Sequence, residues 1–123
     1  PNPVSYVFEQ DSGTFCHGGD TKPHGELDDL GREYDIDLGA LACGAGGNID
    51  DKETGGPVRT RWYSTETEVV KAASDLRFDR LLPTHWDMWK GLTADPTVLH
   101  HHTRSYDTPR SLEIAEIGDR VDL

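Results

Sequence analysis

The sequence predicts an α/β chain in the order ββαβαβαβ. Runs rich in Val, Ile, Tyr and Phe alternate with segments whose apolar residues recur at helical spacing, and each run is closed by Gly, Pro or a polar cluster. At 123 residues the chain has the length of one domain, so residues 1–123 are expected to share one core.

The elements follow in order. Val4-Ser5-Tyr6-Val7-Phe8-Glu9 and Gly13-Thr14-Phe15-Cys16-His17 flank the turn-like Gln10-Asp11-Ser12, which predicts a β-hairpin ended by Gly18-Gly19. Between Thr21 and Tyr34 the residues Leu27, Leu30 and Tyr34 share one helical face, with Pro23 fitting only near the first turn. Ile36, Leu38, Leu41, Ala42 and Cys43 form a short apolar strand that runs into Gly44-Ala45-Gly46-Gly47, read as the hinge of a long loop, Asn48 to Tyr63. Thr65 with Glu68 has the form of a capping box, and Val69, Val70, Ala72, Ala73 and Leu76 give the helix behind it one packed face. Arg80-Leu81-Leu82-Pro83 reads as a buried strand presenting Thr84 to Trp89 at its end. Asp95-Pro96 opens a third helix toward Tyr106, and the alternation from Ser111 to Gly118 predicts a last, half-exposed strand.

Composition narrows the function classes. With 12 basic and 23 acidic residues the net charge is −11, a field that repels nucleic-acid phosphates and anionic lipid headgroups. Binding to nucleic acid or to a membrane surface through bulk charge is thereby excluded. No apolar run approaches the roughly 20 residues a membrane helix needs, and Pro1-Asn2-Pro3-Val4 has neither the basic region nor the apolar core of a signal peptide. The expectation is a soluble cytoplasmic chain. Leu, Ile, Val and Phe total only 25 residues, which fits either a strongly acidic surface on a sound core or a piece of a larger fold that lacks its partner. Cys16 and Cys43 make no disulfide framework and read as small buried hydrophobes.

Two strand ends carry residues suited to chemistry: His17-Gly18-Gly19-Asp20-Thr21, and Leu82-Pro83-Thr84-His85-Trp86-Asp87. A carboxylate after a Gly-Gly turn that follows one strand and a histidine just after another are how α/β layers present metal ligands at a strand-end rim. Taken singly, Asp20 also reads as a helix N-cap and His85 as a packed, hydrogen-bonded ring. His100-His101-His102 point about 100° apart on a helix and do not converge on one ion. Gly44 to Gly47 lacks the Lys-Ser/Thr of a phosphate-binding loop.

Taken together and in this order, these segments resemble the C-terminal half of the metallo-β-lactamase superfamily, in particular its L-ascorbate-6-phosphate lactonase branch. The likeness runs from Gly19-Asp20-Thr21 through Ile36-Asp37-Leu38-Gly39-Ala40-Leu41 to Leu82-Pro83-Thr84-His85-Trp86-Asp87-Met88-Trp89 and Ala94-Asp95-Pro96. The resemblance implies half of an αβ/βα sandwich, a mixed sheet with helices packed on one face. It implies that Asp20 and His85 are metal ligands of a catalytic centre holding Mn²⁺ or Zn²⁺, which lowers the pKa of bound water. Asp87 and Thr21 would support those ligands. His24, Arg59, Arg61 and Trp86 would line the rim for an anionic small molecule such as a phosphorylated sugar lactone, the arginines lying in the long loop of an otherwise acidic chain.

The departure from that family is as informative. Its first metal-binding run, His-x-His-x-Asp-His, occurs nowhere in these residues. Catalytic zinc sites use at least three protein ligands, so the resemblance implies that an N-terminal half or a partner chain completes the centre, and that the chain alone neither binds metal tightly nor catalyses. A half-sandwich also leaves an apolar face open, which implies association with the other half or with itself as a homo-oligomer. The expected activity is hydrolysis of a lactone or related ester. The alternative is a non-catalytic binding or assembly module in which Asp20 caps a helix and His85 packs on Trp86 or Trp89.

Overall fold

The structure is a computed structural model that describes residues 4–19, 25–44, 46–50, 53, 55–61, 63–89 and 92–123, with the backbone alone at 46–50, 57–61, 88, 89 and 92. In chain order the elements are β1 (Tyr6–Gln10), β2 (Gly13–His17), α1 (Glu26–Glu33), β3 (Leu38–Ala42), β4 (Gly46–Asp50), β5 (Pro57–Arg61), α2 (Glu66–Asp75), β6 (Arg80–Thr84), β7 (Asp87–Trp89), β8 (Leu92–Thr93), α3 (Pro96–Thr103) and β9 (Ser111–Leu112).

The main sheet has the order β1-β2-β3-β6-β9. The hairpin pairs β1 with β2 antiparallel, Tyr6 opposite His17, and the remaining neighbours are parallel, with Phe15 opposite Leu38 and Leu38 opposite Arg80. It is therefore a mixed sheet. Its alternation sends Cys16, Leu41 and Leu81 to one face, where they meet Leu27 of α1, Val69, Val70 and Ala73 of α2, and Leu99 of α3. Phe78 sits fully buried against Gly39, where an added methyl group would overlap its ring. Glycine is required there by close approach.

The opposite face carries a cross-strand ladder of aromatic rings. Tyr6 and Phe8 have centroids 6.1 Å apart, Phe8 and Phe15 6.0 Å, and Tyr6 and Phe8 remain 56% and 52% exposed. The C-terminal tail lies along part of this face. The Arg80 guanidinium donates to Glu113 Oε1 at 2.9 Å and to the Asp122 carbonyl at 2.8 Å, and Val121 and Leu123 line an apolar groove of about 720 Å³ with Phe8 and Phe15.

Local signals hold where the chain itself satisfies them. Thr65 and Glu68 form the reciprocal capping box, and Asp95 Oδ1 accepts from the Thr97 amide with Pro96 at the first helical position. Three expectations are corrected. The stretch read as a loop from Asn48 to Tyr63 contains the hairpin of β4 and β5, part of a second sheet of order β5-β4-β8-β7, and Gly46 and Gly47 belong to β4 rather than to a hinge. Asp87 to Thr93, with no strand assigned from sequence, carries β7 and β8. The last strand stops at Leu112, and the residues beyond it form the tail. The helix expected from Thr21 is described from Glu26, and residues 20–24 lie outside the described residues. Among the described residues no helix is long and apolar enough to cross a membrane.

Candidate functional site at the ends of the parallel strands

The parallel strands β3 and β6 end side by side, with Ala42 opposite Thr84 and the Cys43 amide donating to the Thr84 carbonyl at 2.9 Å. The next residue of β6's chain is His85, with φ at +61°. This left-handed conformation costs a non-glycine residue about 1 kcal/mol and persists only where the surroundings enforce it. The turn turns the chain out of the sheet and leaves the imidazole half-buried, with its Nδ1 shielded from solvent.

A tyrosine packs against that ring. Tyr63, 9% exposed, meets it edge to face with centroids 4.7 Å apart and planes at 90°. Tyr63 is itself anchored, because the adjoining Ser64 is buried and bridges Cys43, and Thr65 caps α2. The Trp86 carbonyl accepts from the Ala94 amide at 2.8 Å, which joins the residue before β7 to the residue after β8.

His85 opens into a cleft of about 800 Å³ whose lining includes Trp86, Asp87, Ala115, Glu116 and Ile117. Open α/β sheets take ligands outside the carboxyl ends of their strands, and this cleft is in that position. Of the residues singled out from sequence, His85, Trp86 and Asp87 are brought together here. Arg59 and Arg61 fall in β5, opposite Asn48 and Gly46, on one face of that strand by alternation, and their side chains lie outside the described atoms. Asp20, Thr21 and His24 lie outside the described residues. The turn leading to Asp20 is described as far as Gly19, whose amide donates to His17 Nδ1 at 3.0 Å and whose φ is +59°. Sequence reading missed Tyr63 and the wall from Ala115 to Ile117, since neither sits in a motif.

Among the described residues no three His, Cys, Asp or Glu side chains converge on one point. These residues thus offer one imidazole and do not by themselves make a coordination sphere. Both cysteines are buried, which pushes the Cys16 thiol up to about 11 and the Cys43 thiol to about 12, the latter also raised by Glu66. Such thiols are neither nucleophiles nor ready ligands near neutrality. His102 Nε2 lies 3.1 Å from Thr67 Oγ1, tying α3 to α2.

No protein-family model matches the chain. It is 28% identical over 122 residues to a UPF0173 metal-dependent hydrolase of Pelotomaculum thermopropionicum, covering 99% of this chain and 46% of that protein. It is 28% identical over 94 residues to a probable L-ascorbate-6-phosphate lactonase, UlaG, of Salmonella gallinarum, covering 76% of this chain and 23% of that one. Among solved structures it superposes on Igni18, a metallo hydrolase from the archaeon Ignicoccus hospitalis, with a TM-score of 0.71 at 19% identity, over 94% of this chain and 43% of the other. The chain thus spans less than half the length of the curated relatives it matches.

Proposed function

We infer a metal-dependent hydrolytic function from the chain's resemblance to the C-terminal half of a metallo-β-lactamase-fold hydrolase and from relatives that are named as a metal-dependent hydrolase and a probable lactonase. On this reading the chain supplies the second half of a metal-dependent hydrolytic site, His85 and Asp20 being ligands to Mn²⁺ or Zn²⁺ and the remaining ligands coming from an N-terminal half or a partner chain. When bound, such an ion supplies Lewis acidity and lowers the pKa of water. The reaction is hydrolysis of a lactone or related ester, in which water adds across the acyl C–O bond to give the hydroxy acid from a lactone, or the acid and the released alcohol from an open ester. A phosphorylated sugar lactone is the substrate that Arg59 and Arg61 would serve.

The observation that carries this reading is the strained His85 at the parallel-strand rim, with its ring clamped by Tyr63 and its chain neighbours Trp86 and Asp87 on one cleft. A merely packed histidine needs no left-handed backbone. The remaining chain rests on the open aromatic face of the sheet, where rings as exposed as Tyr6 and Phe8 favour a covering partner.

The test is the metal content and lactone hydrolysis of the assembly in which the chain purifies from its natural source, compared with His85→Ala and Asp20→Ala. One or two Mn or Zn per site, reduced in both variants together with activity, supports the reading. A lone metal-free chain, or metal retained in both variants, overturns it in favour of a binding or assembly module.

A further inference from the structure

The second sheet reaches the His85 cleft through one cross-strand row. β7 begins at Asp87, which lines the cleft, and Asp87 stands opposite Thr93 of β8. Gly46 of β4 stands opposite Thr93 on one side and opposite Arg61 of β5 on the other. Residues directly opposite one another in a ladder share a face of the sheet, so Arg61, Gly46, Thr93 and Asp87 form one row on one face. The irregularity between Asp87 and Trp89 falls beyond this row and leaves its register intact. Alternation adds Arg59 and Asn48, opposite each other, as the next pair on that face, while Thr60 and Gly47 belong to the other. The register thus carries both arginines to the face on which Asp87 lines the cleft. With strands spaced about 4.8 Å apart, the Arg61 backbone lies roughly 14 Å from that of Asp87 along the row.

We propose that this row is the phosphoryl subsite of the cleft, with Arg61 and Arg59 determining specificity for an organic phosphate monoester and the exposed Thr93 offering a hydroxyl donor between them and His85. The inference rests on the hydrolase reading above and assigns the residues that set its substrate class. A phosphate monoester carries a charge near −2 and presents acceptor oxygens that match the planar fork of a guanidinium. Two arginines two residues apart on a strand are about 7 Å apart along it, a separation from which both can serve one phosphoryl group. Gly46 places no side chain between Arg61 and Thr93, and a glycine inside a strand suits close approach of a ligand to the backbone. The whole chain carries −11, so holding a dianion requires cations concentrated in one place, as on this face. His85 lies two residues before Asp87, at the other end of the row. The substrate's phosphoryl end and its reacting end are thereby separated by the width of the second sheet, and once the length of an arginine is taken off that span the remainder is the size of a sugar phosphate.

The inference is tested by titrating the purified assembly with glucose 6-phosphate and with glucose in a calorimeter, with and without a chelator. Glucose 6-phosphate is expected to bind at least tenfold more tightly than glucose in both conditions. Arg61→Gln is expected to weaken its binding at least tenfold, Arg59→Gln and Thr93→Val severalfold, and Arg61→Lys less than Arg61→Gln, because lysine keeps the charge and loses the fork. Arg104→Gln, which removes the same charge at the end of α3, should leave the affinity unchanged. In the parent protein the backbone amide NMR signals of Gly46, Thr93 and Asp87 should move with glucose 6-phosphate and stay in place with glucose, a readout that needs no variant to fold. Equal affinity for the two sugars, an Arg61→Gln effect no larger than that of Arg104→Gln, or unmoved Gly46 and Thr93 signals overturns the inference. Its failure is separable from that of the hydrolase reading. Binding abolished by the chelator assigns the phosphate to the metal centre and sinks the subsite alone, whereas Arg61-dependent binding by a metal-free assembly that opens no lactone supports the subsite and sinks the hydrolase reading.

Discussion

Tyr63 and His85 come from segments 22 positions apart and meet with ring planes perpendicular and centroids 4.7 Å apart. The contact joins the end of the second-sheet hairpin to the rim of the main sheet. It also holds a histidine whose backbone is in a conformation it does not favour by itself.

Removing the Tyr63 ring should release His85. Tyr63→Leu is expected to lower stability by about 1 to 3 kcal/mol, since a buried aromatic side chain is truncated, and to abolish the ring-current shift of the His85 imidazole protons. Tyr63→Phe keeps the ring and should leave those shifts near their parent values. Thermal melts and histidine NMR spectra check both, and unchanged His85 shifts in Tyr63→Leu would show that the ring is held by something else.

Gly39→Ala is expected to be among the most damaging single changes in the sheet. Its methyl group would overlap the ring of the fully buried Phe78, so the helix layer must move or the ring must leave its rotamer, at a cost of about 1 to 3 kcal/mol. Phe78→Leu in the same chain should recover part of that loss, so that the double mutant is less destabilised than the two single effects added. Strict additivity in denaturant titrations would refute the contact.

The two buried thiols predict how stability changes at alkaline pH. Burial raises each folded-state value, to about 11 for Cys16 and about 12 for Cys43, above the 9.0 of a free thiol, so the folded state holds its proton where the unfolded state loses it. Stability from this source is full below about pH 9 and declines as pH rises toward the folded values, with a slope of about 1.4 kcal/mol per pH unit for each thiol. The double variant Cys16→Ala, Cys43→Ala should flatten the decline between pH 9 and 11 in urea titrations. In the parent at pH 8, a thiol reagent should label neither cysteine until denaturant is added.

The aromatic ladder predicts association. Tyr6, Phe8 and Phe15 form a contiguous apolar stripe, and Phe8→Glu should place a charge in its middle at little cost to the hairpin, because Phe8 is half exposed. Sedimentation velocity should show the parent bound to its complementary half or to itself and the variant as a single chain. A parent chain that sediments alone and melts in one sharp transition would contradict this.

What could be read from the residues differs between elements for physical reasons. The hairpin of β1 and β2, the capping box at Thr65 and the Asp95-Pro96 helix start are local: their partners lie within a few residues, so spacing and residue type suffice. The strands β4, β5, β7 and β8 escaped because Gly46, Gly47, Asn48 and Arg59 show no apolar alternation, and strands of this kind are held by pairing across distant chain, as in Gly46 opposite Thr93. His85 and Trp86 were visible as a strand-end pair, since a short apolar strand followed by a histidine is a sequence pattern. Tyr63 was not, because its importance lies in a ring contact that no spacing encodes.

The sequence by itself determined the alternation of the main-sheet strands with the helices, a net charge of −11, the buried faces of α2 and β3, and the candidate ligand His85. These follow from periodicity, capping and charge, which are sums over neighbouring residues. Only the tertiary structure decided that β6 and β9 leave the sheet in parallel, that the turn carrying Ile117 walls the His85 cleft, and that the aromatic ladder lies on the face away from the helices. Those relations depend on strand order, and strand order is settled by which apolar faces find each other across long loops, a free-energy balance no local window contains.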